Sequence, residues 1–292
     1  MNKRTLKNEH FEIEYLTHSL RICGLTPKGS TNILADLSHQ GPIPTPYGDF
    51  YFRGGHRLWH APEAMPRTYA PDTGELTMTD LPDGVILETQ TEPGTHIRKR
   101  IEIRLAAGEA SATLTHTLIN DGLWAVELAP WTITQFRLGG TAILPMPVGN
   151  VDAAGLLPNR NISLWSYARI GDPRLSLRDD FVLFHADALP PFKMGYFNPH
   201  GWLAYWVDGV LFKKSFSAQP GAKYPDNNCN AELYCNDEFV ELESLSPLVT
   251  LHPGESVQHV ETWEVFFGLD ALPEELRKCL KTNHEASKAQ NH

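Results

Sequence analysis

Hydrophobic and polar residues alternate with a period of two over much of the chain from residue 11 to residue 267. FEIEYL (11–16), GVILETQ (84–90), THIRKRIEIRL (95–105), SATLTHTLIN (111–120), FVLFHA (181–186), GWLAYWVDGVLFKK (201–214), NAELYCN (230–236), EFVELESL (238–245) and QHVETWEVFFG (258–268) carry this alternation, or the β-branched and aromatic enrichment of strands. Turn signals separate them: PDG (82–84), EPG (92–94), NDG (120–122), QPG (219–221) and HPG (252–254). In THIRKRIEIRL, Ile97, Ile101 and Ile103 share one face while Arg98, Arg100, Glu102 and Arg104 share the other, as in a sheet with one wet surface. Helical spacing stands out once, in LDALPEELRKCLKT (269–282), where Leu272, Leu276 and Leu280 recur on one side. The expected fold class is therefore all-β. A single large antiparallel β-sandwich domain is expected over residues 1–268, followed by an expected short C-terminal helix and polar, disordered tail over residues 269–292.

Composition narrows the partners. The 292 residues are 41% hydrophobic and 10% aromatic, enough for a large core, and carry a net charge of -10. Without a Lys/Arg cluster, that balance argues against nucleic acid, whose phosphates demand a basic face. A small neutral or polar ligand fits better. The N-terminal MNKRTLKNEHFEIEYL places charges where a signal peptide needs an apolar run, and no stretch approaches the ~18 apolar residues of a membrane span. The expectation is a cytoplasmic protein with no membrane partner; oligomeric state is open. Cys229 and Cys235, six apart and without a CxxC spacing, read as two free thiols.

Candidate chemistry concentrates in three places. In EFVELESL, Val240 and Leu242 point one way while Glu241 and Glu243 point the other, about 7 Å apart by the strand rise. On a wet outer face these are ordinary glutamates. Partly desolvated beside an aromatic, either can act as a general base. KMGYFNPHGWLAYWVDG (193–209) offers Lys193, Asn198 and His200 around a turn, then Trp202, Ala204, Trp206 and Asp208 on one strand face. Aromatic surface next to amide and imidazole groups suits a sugar, and the same tryptophans also suit a core. YFRGGHRLWHAPE (51–63) sets His56 and His60 four apart on one side of a strand, with Arg53, Arg57, Trp59 and Glu63 nearby. His56, His60 and Glu63 could ligate a metal, but no third-ligand motif accompanies them and no metal is expected. The Gly54-Gly55 pair implies backbone passing close to a ligand or another strand.

Three stretches resemble the galactose mutarotase-like superfamily, which includes aldose 1-epimerases and hexose-6-phosphate mutarotases. They are RGGHRLWHAPE (53–63), THTLINDGLWAVELAPWTITQF (115–136), and FVELE with the following SPLVTLHPGESVQHVETWEVF (246–266). The resemblance spans most of residues 10 to 267 and implies a supersandwich of two antiparallel sheets with a sugar on one concave face. It further implies an isomerase that works without a cofactor on a free or phosphorylated aldose. A late glutamate takes the C1 hydroxyl proton and a histidine protonates the ring oxygen. On this resemblance Glu243 is the base, with Glu241 beside it, and His200 or His60 is the acid. His56, Arg57, Arg53, Trp59, Asn198, Lys193 and Asp208 are the substrate contacts. The family's usual His-Gly-Phe-x-Arg segment has no counterpart; GVILETQTEPGTHIRKR stands there, and His56 or His60 would have to substitute. Two other readings follow from the residues: a saccharide-binding protein without catalysis, and a lyase or metal-assisted enzyme using His56, His60 and Glu63.

Overall fold

The computed structural model describes residues 2–269, which form two ten-stranded antiparallel sheets packed face to face. The first sheet runs Lys3–Lys7, Phe11–Leu16, Ile22–Pro27, His56–Ala61, Val126–Arg137, Phe239–Leu245, Ala231–Cys235, Phe192–Tyr196, Ser163–Leu164, with Val249–Leu251 paired onto the start of Val126–Arg137. The second runs Leu175–Leu177, Phe181–His185, Thr141–Pro145, Trp202–Val207, Val210–Phe216, Ser256–Phe266, Ser111–Asn120, Ile97–Leu105, Gly84–Glu88, Thr77–Leu81. The all-β sandwich expected from the alternation is the architecture observed. Most of the helix expected over 269–282, and the tail after it, lie outside the described residues. Among the described residues, no helix is long and apolar enough to cross a membrane.

The period-two pattern becomes a core because one face of each sheet is turned inward. From the first sheet, Ile13, Leu58, Phe136, Val240 and Leu242 enter the shared core; from the second come Ile101, Leu114, Leu203, Phe212 and Trp263. At ~25 cal/mol per Å² of apolar surface removed from water, this packing is the main force holding the sheets together. The stretch GWLAYWVDGVLFKK is two strands rather than one. Asp208 and Gly209, at φ 49° and 75°, form the tight turn between Trp202–Val207 and Val210–Phe216, as an Asp-Gly pair favours. Gly54 and Gly55 also have positive φ, and a Cβ on them would lie 2.1 Å from Ala35 O and 1.9 Å from Ile22 O. Of the two explanations for this glycine pair, close approach of backbone is the one seen. Cys229 and Cys235 are buried free thiols.

Candidate functional site

Alternation on the central strands of the first sheet also decides what faces away from the core. Val240 and Leu242 point inward, so Glu241, Glu243 and Leu245 point outward. Register then aligns their neighbours: Ile133 lies between Arg57 and Glu243, Gln135 lies opposite Glu241, Glu232 lies opposite Glu243, and Lys193 lies opposite Tyr234. The outcome is a polar strip flanked by an aromatic cluster of Phe50, Trp59 and Trp131, with Phe52 and Tyr69 packed against it.

The two expected glutamates have different partners. The Glu243 Oε2 atom accepts from Trp131 Nε1 at 2.8 Å and from Lys193 Nζ at 2.9 Å, and Lys193 also lies 2.8 Å from Glu232. Glu241 Oε1 accepts from Arg57 Nη2 and from Gln135 Nε2, both at 2.9 Å. Burial pushes every carboxyl on this strip up, because the charged form loses its water. For Glu243, Lys193 and the bonds from Lys193 and Trp131 outweigh burial and hold it below the usual carboxylate value. Glu241 is raised by burial to about 7 despite Arg57. Glu232 is pushed well above the ordinary range, burial again exceeding the pull of Lys193. One ionised carboxylate thus stands beside Glu232, which holds its proton at neutral pH, and Glu241, which titrates close to it, an arrangement suited to paired acid and base chemistry.

Aromatic side chains enclose the strip. The Lys193 ammonium lies 4.7 Å from the Trp131 ring and 4.7 Å from the Trp165 ring, and the Arg57 guanidinium is stacked 4.3 Å over Trp59. Trp165 follows the two-residue edge strand Ser163–Leu164, and its N–H donates to Lys193 O. Gly195 leaves space for this grouping: a Cβ there would lie 2.8 Å from the Glu232 side chain. A separate surface recess lies between residues 71–76 and 89–93. Of its three acids, Asp72 and Glu92 are already paired with Arg21 and Lys99 and Glu75 is exposed, so it offers less chemistry than the strip.

No protein-family model matches the chain, and no curated protein matches it in sequence. Solved structures do match in shape. A galactose mutarotase-like protein from Lactobacillus casei superposes with a TM-score of 0.60 at 13% identity, over 91% of this chain and 100% of the other. A galactose mutarotase related enzyme from Lactobacillus acidophilus gives 0.57 at 8% identity, over 93% and 100%. The chain has the galactose mutarotase-like fold. A TPR-domain containing protein from Parabacteroides distasonis shares the shape at a TM-score of 0.63 and 13% identity, over 92% of this chain and 48% of that one.

Within this mutarotase-like sandwich, the residues singled out in the sequence separate into groups. Arg57, Trp59, Lys193, Glu241 and Glu243 come together on the outer strip. Arg53 lies on the two-residue strand Arg53–Gly54, paired with Asp36–Leu37 outside the first sheet, its guanidinium 4.7 Å from the Tyr51 ring. His56 and His60 alternate with Arg57 and Trp59 and therefore point into the sandwich, where both are buried. His60 lies 3.5 Å from Glu92, and Glu63 is bonded instead by Tyr69 on the other side, so His56, His60 and Glu63 do not converge on a metal. His200 is exposed, with Nε2 3.1 Å from Met146 O. Asn198 is fixed within its turn, taking Asn230 Oδ1 on its N–H and donating to Trp202 O. Asp208 sits in the hairpin turn of the second sheet, paired with Arg137.

His56 instead enters a buried polar network between the sheets. Its Nε2 is 2.8 Å from His116 Nε2, and its Nδ1 is 2.9 Å from Thr134 Oγ1. His116 Nδ1 donates to His259 O, which leaves its Nε2 as the acceptor for His56. Glu261, the third member, accepts from Thr132, Ser244, Lys214 and Trp263. These three residues are close enough to hold a metal ion. However, the His56 and His116 ring centroids are 5.0 Å apart, the N···N distance plus about the two ring radii, so the rings lie nearly end to end. That is the geometry of a shared proton, and the Lys214 charge 2.9 Å from Glu261 further disfavours a cation.

Glu232, Trp131 and Trp165 complete the strip and were not singled out from the sequence. An isolated acid in the apolar strand NAELYCN was the available signal for Glu232. Trp165 lies in a segment without periodicity and gave none.

Proposed function

We propose that the outer strip of the first sheet binds a carbohydrate and interconverts the anomers of an aldose. The observation that carries this reading is the pairing on one buried strand face of Glu243, held ionised by Lys193, with Glu241, whose carboxyl is raised to about 7 by burial. Glu243 takes the proton from the C1 hydroxyl while the bond between C1 and the ring oxygen breaks. The electrons of that bond go to the ring oxygen, which takes its proton from Glu241. The open aldehyde turns about C1–C2 and the steps reverse, so both carboxyls regain their starting states. Half-buried Trp165 supplies flat apolar surface for the sugar's C–H faces, and Gln135 and Glu232 supply hydrogen-bonding groups. His200 and His60 point elsewhere, so this reading passes the acid role to Glu241. The names of the solved structures sharing the fold support a sugar as the ligand.

The test is NMR exchange between the anomers of free hexoses and of their 6-phosphates. Acceleration by the protein that is lost in Glu243→Gln supports the reading; exchange at the uncatalysed rate with every sugar overturns it. A second reading, saccharide binding without catalysis, draws on the Glu243 Oε2 atom being engaged already by Trp131 and Lys193, which weakens it as a base. Calorimetric binding of a sugar without accelerated exchange would favour it.

A further inference from the structure

The second sheet turns two different surfaces outward. On the strand Ile97–Leu105 that surface is charged, with Arg98 and Arg100 paired to Glu88. Several strands away, across Phe181–His185, Thr141–Pro145 and Trp202–Val207, it is apolar: Ile143 and Ala204 are buried there, with Leu183, Trp202 and Trp206 half-buried around them. An outward sheet face of this kind needs a cover, since exposed apolar surface of that extent costs solubility and stability.

The last described residue lies on it. Leu269 is buried against this cluster, its N–H donates to Gly209 O at 3.1 Å, and Trp206 Nε1 donates to Leu269 O at 2.9 Å. The chain therefore leaves the described structure from the apolar face itself, and the sequence that follows continues its chemistry. Leu269, Leu272, Leu276 and Leu280 fall at i, i+3, i+7 and i+11, while Glu274, Glu275, Arg277, Lys278 and Lys281 occupy intervening positions.

We propose that the apolar outer face of the second sheet is the docking surface for the chain's own segment 270–282, which lays Leu272, Leu276 and Leu280 on it. Length permits this. At 1.5 Å per residue a helix over 269–282 reaches about 20 Å. The step from the Trp202–Val207 strand to the Phe181–His185 strand crosses two strand spacings, about 10 Å. Tethering decides between occupants: a segment joined directly to Leu269 competes at the millimolar effective concentration typical of a short linker, which a second copy of the chain does not reach in dilute solution.

The experiment compares the full chain with one ending at Leu269 and with a full-length Leu272→Ser, Leu276→Ser, Leu280→Ser variant. Both altered proteins should keep the β-sheet circular dichroism, bind an apolar dye several-fold more strongly and melt several degrees lower. In a Cys23→Ser background, a cysteine at Leu183→Cys or Lys213→Cys should form a disulfide with Cys279 at a rate independent of protein concentration. Disulfides only between chains, with a leucine-dependent dimer, would assign the face to a second copy and overturn the proposal. Unchanged dye binding and melting, or no disulfide from either position, would overturn it as well.

Discussion

Glu241 and Glu243 project from the same face of one buried strand, and their surroundings shift their carboxyls in opposite directions. Arg57 and Gln135 both donate to one oxygen of Glu241, as Lys193 and the Trp131 indole do to one oxygen of Glu243. Desolvation is common to the two; the negative charge of Glu243 raises Glu241 further, whereas Lys193 and the bonds from Glu232 and Trp131 lower Glu243.

If these two carboxyls divide the acid and base roles, replacing either should slow anomer exchange by about 10²–10⁴-fold, the usual worth of a positioned proton-transfer group. Glu243→Gln and Glu241→Gln, compared by NMR exchange at neutral pH, measure this. Equal activity of wild type and Glu241→Gln would move the acid role to Glu232.

The activity should carry a falling alkaline limb. Glu241 is raised by burial to about 7, so the protonated acid is present below that pH and is lost as the pH rises through it. A rate that stays flat from pH 6 to pH 9 would show that Glu241 does not supply the proton.

Lys193 lies against two buried carboxyls, the ionised Glu243 and the protonated Glu232. Removing one partner of a buried pair costs about 3–5 kcal/mol, because the remaining charge has no water to replace it. Lys193→Met should therefore lower the midpoint of urea denaturation, and adding Glu243→Gln, which removes the charge left unpaired, should recover part of the loss.

The histidine network between the sheets predicts acid lability. Burial lowers His56 and His116, and lowers His259 to about 3, all below the ~6.5 of a free imidazole. The unfolded chain therefore binds more protons than the folded one between those values. Their contribution to stability is complete above about pH 6.5 and is lost as the pH falls toward 3. Urea titrations at pH 7 and pH 5 should show the drop, and His116→Gln should make it shallower.

Two glycines separate the cost of backbone conformation from that of backbone contact. Gly29 has φ 76° with open space around it, whereas Gly55 has φ 71° and a carbonyl 1.9 Å from where a Cβ would lie. Gly29→Ala should cost about 1 kcal/mol from its dihedral alone. Gly55→Ala should be far more damaging in thermal melts, because Ile22 must also move.

Strand alternation was legible in the sequence, and with it the sandwich and the sharing of one face by Glu241 and Glu243. Both follow from geometry within a few residues, since a strand's side chains point to alternate sides wherever it is placed. By the same rule His56 and His60 had to face away from Arg57 and Trp59, although the rule alone does not say which pair meets the core. Only the tertiary structure decided that, because it depends on which sheet covers which face. It also set the pairing of Phe239–Leu245 with Val126–Arg137 and Ala231–Cys235, which brings Trp131 and Glu232 to Glu243 from more than a hundred residues and from eleven residues away. The opposite pKa shifts of two neighbouring glutamates lie in those non-local partners, since local sequence fixes direction but long-range packing fixes solvation and charge.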